Sequence, residues 1–81
     1  MNLKPYFTKN ELTMILVNAD VITDNSIILN TNKYFFEINI FDEKLSIYCY
    51  SSKEESYISK TKFLKLYNQS YIENLEILII D

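Results

Sequence analysis

The sequence predicts an α+β domain: an N-terminal helix, a three-stranded antiparallel meander, a second helix and a buried C-terminal strand. Three observations carry this. A helix-capping pattern opens at Thr8. Two consecutive hairpins across residues 26–51 each turn the same set of apolar side chains to one face. Helical apolar spacing over residues 59–69 is followed by a nearly continuous apolar run, Leu75-Glu76-Ile77-Leu78-Ile79-Ile80.

The first helix is predicted over residues 9–19. Thr8-Lys9-Asn10-Glu11 fits a capping box, and Phe7 and Leu12 occupy the staple positions that flank it. Leu12, Ile15, Leu16 and Ala19 then fall at i, i+3, i+4 and i+7, one face of a helix. Asp20–Ser26 reads as a polar connection. In the meander, Tyr34, Phe36, Ile38 and Ile40 alternate with Phe35, Glu37, Asn39 and Phe41. Leu45, Ile47 and Cys49 alternate with Ser46, Tyr48 and Tyr50. A loop at Phe41–Lys44 sets Ile40 against Leu45, Ile38 against Ile47 and Phe36 against Cys49. A slip of one residue would turn Ser46 and Tyr48 into the core. In the first hairpin, a turn at Asn30-Thr31-Asn32-Lys33 sets Leu29 against Tyr34 and Ile27 against Phe36. Ser51–Ser56 reads as a second polar connection, and Ser56 or Ser59 as the cap of the second helix. Phe63, Leu66 and Tyr67 share one face of that helix; Lys62, Lys65 and Gln69 share the other. The six-residue tail reads as a strand buried on both faces.

Composition narrows the chemistry. Eighty-one residues make one domain, 1–81, and 48% apolar content is enough for a packed core. Gly, His, Trp and Arg are all absent. Without Gly there is no P-loop or dinucleotide fingerprint. Without His there is no Ser-His-Asp or Cys-His arrangement, and with one Cys a zinc site is not expected. No cofactor is expected. Net charge is −3, from eight Lys against eleven acids, which argues against nucleic acid as the main partner. No apolar run reaches the roughly 18 residues of a membrane span, and Met1–Tyr6 lacks the apolar stretch of a secretory signal. The lone Cys49 fits a reducing compartment, so a cytoplasmic protein is expected. Many Ile, Asn, Lys and Tyr with no Arg fit an AT-rich genome, as in low-GC bacteria, their phages and some viruses.

Lys44-Leu45 opening a strand, Leu64-Lys65-Leu66-Tyr67 in a helix, and Glu76-Ile77-Leu78-Ile79-Ile80-Asp81 closing the chain resemble one known family. Residues 43–81 are similar to the C-terminal part of viral ring-nuclease anti-CRISPR proteins, which degrade cyclic tetra-adenylate. That family opens with a strand that has no counterpart here, and its catalytic histidine has none either. The resemblance therefore implies a related scaffold and a mobile-element origin, with no catalytic or ligand residue carried over.

Four groups of residues are candidates for function. Cys49 lacks a base and takes the inward strand phase, so it is expected to be a buried, inert thiol. Asp42-Glu43 and Glu54-Glu55 are adjacent acids in loops, whereas paired-carboxylate catalysis needs acids from different elements across a cleft. Lys60, Lys62 and Lys65, with Tyr57, Phe63 and Tyr67, form the basic-aromatic cluster; it is either a nucleic-acid contact or a solvated helix face over core aromatics. Phe35, Tyr48 and Tyr50, with Glu37, lie on the meander face opposite the core set. Either the first helix covers them or they form a protein–protein surface. The expected function is a non-enzymatic protein-binding module, an inhibitor from a phage or mobile element acting by occlusion or self-association. A nucleic-acid-associated accessory protein using the lysine face is the alternative.

Overall fold

Thr8 opens helix α1, Lys9–Asn18, with the capping box complete. Its hydroxyl accepts the Glu11 amide at 3.2 Å, and its own amide donates to the Glu11 carboxylate at 2.7 Å. Two of the orphan donors of the first turn are thus satisfied reciprocally. The computed structural model describes the backbone of residues 2–80 and the side chains of residues 2–70. After α1 the chain runs through β1 (Val21–Ile22), β2 (Ser26–Asn30), β3 (Phe35–Phe41), β4 (Lys44–Tyr50) and β5 (Glu55–Ile58), then α2 (Lys60–Ile80). The strands form one antiparallel sheet in the order β1-β2-β3-β4-β5.

The β3–β4 register is the expected one: Ile40 faces Leu45, Ile38 faces Ile47 and Phe36 faces Cys49. The β2–β3 register differs by two residues, with Leu29 facing Phe36 and Ile27 facing Ile38. An even shift keeps the inward face unchanged, which is why the apolar pattern alone did not separate the two pairings. The turn decides it. Thr31 donates its amide to the Tyr34 carbonyl at 2.8 Å, while its hydroxyl accepts the amides of Tyr34 (2.9 Å) and Lys33 (3.2 Å). The hairpin therefore closes around Asn32-Lys33, one step later than expected.

The other hydroxyl turns are built the same way. Thr23 and Ser26 close the β1–β2 turn, and Ser51 and Glu54 close the β4–β5 turn, each with the first residue's hydroxyl accepting the fourth residue's amide. Only the β3–β4 turn takes the left-handed route: Asp42 and Glu43 have φ of 53° and 59°. These are the only positive-φ residues among those described.

Three expectations are corrected. The sheet has five strands, because Val21–Ile22 and Glu55–Ile58 pair at its two edges. β1 lies inside the expected connection Asp20–Ser26, and β5 straddles the end of the expected connection Ser51–Ser56; at two and four residues they are too short for alternation to stand out. The expected C-terminal strand over residues 75–80 is absent, and α2 continues to Ile80. No Gly or Pro interrupts residues 60–80, and a short apolar run does not by itself separate strand from helix. Burial of that run lies outside the described side chains. On α1, Leu16 is 48% exposed rather than buried, while Ile15 is fully enclosed.

The core lies on one side of the sheet. Ile27, Leu29, Phe36, Ile38, Ile47 and Cys49 from the strands meet Leu3, Phe7, Ile15, Phe63 and Tyr67. Phe63 is its centre, edge-on to Phe36 at 5.0 Å and to Phe7 at 6.4 Å. Ser59 caps α2 by accepting the Lys62 amide at 3.1 Å; Ser56 belongs to β5 instead.

Candidate binding face

Alternation along the strands generates the opposite face. If Phe36, Ile38, Ile47 and Cys49 point to the core, then Phe35, Glu37, Asn39, Ser46, Tyr48 and Tyr50 point away. The register extends this face to the edges. Val21, Ile28, Glu37, Tyr48 and Tyr57 form one row across all five strands. Asn30, Phe35, Tyr50 and Glu55 form the row beside it. On the other flank lie Ser26, Asn39 and Ser46, then Phe41 and Lys44 at the turn.

The described buried apolar residues of the two helices, Ile15, Phe63 and Tyr67, lie on the core side. Of the two readings left open for Phe35, Tyr48 and Tyr50, the one in which α1 covers them is therefore excluded. Among the described residues nothing packs over the outer face. Tyr50 is 51%, Tyr57 72% and Phe41 79% exposed. Phe35 and Tyr48 are half-buried. Tyr57 and Phe41 are additions to the expected set. Tyr57 falls with the lysines in the sequence because β5 is too short to declare itself, and pairing with β4 puts it on this face instead. Phe41, expected to open the loop, is the last residue of β3 and pairs with Lys44.

The polar groups on this face are tied together within it. The Tyr48 hydroxyl donates to Glu55 Oε1 at 2.7 Å, and this bond to a carboxylate pushes its pKa up to about 12. Tyr57 packs edge-on against Tyr48, with ring centroids 5.4 Å apart. Asn39 Nδ2 donates to Glu37 Oε1 at 2.9 Å. Both carboxylates thus have partners in the plane of the face, which lowers the cost of covering it.

The other candidates sit elsewhere. Cys49 is fully buried against Phe36; burial first, and the Glu54 charge second, push its thiol above the ordinary range. The lysines of α2 do not act as one basic patch. Lys60 bridges Glu11 at 3.0 Å and lies 5.2 Å over the Phe7 ring, and Lys62 pairs with Glu54. Lys65 is exposed on the same helix, while Phe63 and Tyr67 are buried. The paired acids diverge. Asp42 and Glu43 form a turn, Glu54 reaches toward α2, and Glu55 turns to the outer face. Among the described residues no three His, Cys, Asp or Glu side chains gather as a metal site would require, and no helix is long and apolar enough to cross a membrane. No protein-family model, curated protein or solved structure matches the chain.

Proposed function

We propose that this chain is a non-enzymatic binding module that works by covering or bridging a macromolecular partner through the outer face of its sheet. The observation that supports this reading is the row of aromatic and aliphatic side chains on that face, with both helices on the other side. Tyr and Phe combine large apolar area with few rotatable bonds, so ordering them on binding costs little entropy. A composition that fits an AT-rich genome and the resemblance of residues 43–81 favour one form of it: an inhibitor carried by a phage or other mobile element, working in the host cytoplasm. Nucleic-acid binding by α2 is the weaker reading, since Lys60 and Lys62 are already paired with acids.

The test is a double readout on Tyr50→Ala and Tyr57→Ala: thermal stability, and association measured as concentration-dependent mass. Both variants should melt close to the wild type and associate less. Phe36→Ala, deep in the core, should instead lose about 3–5 kcal/mol. Loss of several kcal/mol in both tyrosine variants would show that the face is internal packing.

A further inference from the structure

We infer that the occupant of the outer face is a second copy of this chain, packed sheet against sheet about a two-fold axis that reverses the strands. This deepens the reading of that face as a docking surface and rests on it. Three observations lead to it. The first is size. Strands of two, five, seven, seven and four residues, rising about 3.3 Å per residue and about 4.8 Å apart, give a face of roughly 400 Å². Two copies would bury roughly 800 Å², the size of a weak, reversible contact, so association belongs at high protein concentration. The sheet edges offer much less, since β1 has two residues and β5 four.

The second observation is charge. Among the outward strand positions Lys44 is the cation, at the Phe41–Lys44 end; Glu55 is at the opposite end and Glu37 in the middle. A two-fold axis along the strands would leave Lys44 at the same end as Lys44 of the other copy, away from both acids. An axis across the strands brings Lys44 of each copy over Tyr50 and beside Glu55 of the other. The third observation is shape. The strand-reversing axis sets the row of Ile28, Glu37 and Tyr48 over the row of Ser26, Asn39 and Ser46. Large side chains then meet small ones, and Phe41 meets Phe35. Interface aromatics flanked by a polar rim are the usual anatomy of such contacts.

The experiment exploits the reciprocity of a two-fold interface, in which each copy supplies both members of each pair. Sedimentation at low salt and high protein concentration should show wild-type dimers. K44E and E55K should each weaken dimerisation about tenfold, because each places like charges together. Mixed in equal amounts they should recover wild-type affinity or better, since both cross-pairs are then opposite in sign. If the wild type dimerises and the mixture does not recover, the proposed packing is wrong. If the wild type stays monomeric while Tyr50→Ala and Tyr57→Ala keep their stability, the second copy is rejected and another partner takes the face. If those tyrosine variants unfold, the underlying reading of the face fails as well.

Discussion

Asp42 and Glu43 occupy left-handed backbone conformations that glycine adopts without penalty, in a chain that contains no glycine. Both central residues with positive φ define the mirror-image turn whose twist suits a two-residue hairpin. A side chain with a Cβ costs about 1–2 kcal/mol there, partly recovered through the unfolded state. Glu43→Gly should therefore raise stability by about 0.5–1 kcal/mol in denaturant unfolding. The Tyr6 hydroxyl that donates to the Glu43 carbonyl would be kept, because its acceptor is backbone. Unchanged or lower stability would mean that the Glu43 side chain supplies an interaction that offsets its conformation. Cys49 is the other residue whose surroundings set its behaviour. Its raised thiol pKa and complete burial predict slow labelling of the native protein, approaching the rate of global opening. Rapid labelling without unfolding would contradict this.

The elements are joined by side chains more than by loops. Thr23, Thr31 and Ser51 replace backbone acceptors with hydroxyls, so three hairpins turn without positive φ. Helix α1 is held at its first turn, where Glu11 serves both the capping box and the Lys60 bridge to α2. The Thr8 amide first, and Lys60 second, hold the Glu11 carboxyl below the ordinary carboxylate range. A depressed folded pKa stabilises above the unfolded value and is lost as pH falls through the folded one. Glu11→Gln should cost a few tenths of a kcal/mol at neutral pH, after solvent screening of an exposed pair. Melting followed against pH should show wild type and variant converge as acid protonates Glu11. A constant gap across pH would show that the charge contributes nothing.

At the scale of the whole molecule, the architecture is two layers, with one sheet face uncovered among the described residues. The helices meet on Phe63, Phe36 and Ile15, on the side where β2, β3 and β4 supply the fully buried strand residues. Tyr48 and Tyr50 on β4 and Tyr57 on β5 lie on the other face, and a domain is built from packed layers that each bury an apolar face. Covering the outer face with a second sheet would complete a sandwich about 10 Å thick between the sheets.

The sequence by itself determined the α1 cap, the β3–β4 register and the inward face of the meander. Each depends on neighbours close in the chain: Thr8 with Glu11, Ile40 with Leu45, and the period of two from Phe36 to Cys49. The tertiary structure alone decided the rest. The β2–β3 offset of two leaves the apolar pattern unchanged, so the Thr31 hydroxyl had to choose it. β1 and β5 are too short to pattern themselves and become strands by pairing with β2 and β4. The run at residues 75–80 suits either a buried strand or a helix, and unbroken continuation from Ser59 makes it helical. Which side of the sheet α1 occupies depends on contacts distant in the chain, such as Lys60 with Glu11 and Phe63 with Phe7. Those contacts leave Phe35, Tyr48, Tyr50 and Tyr57 on the open side.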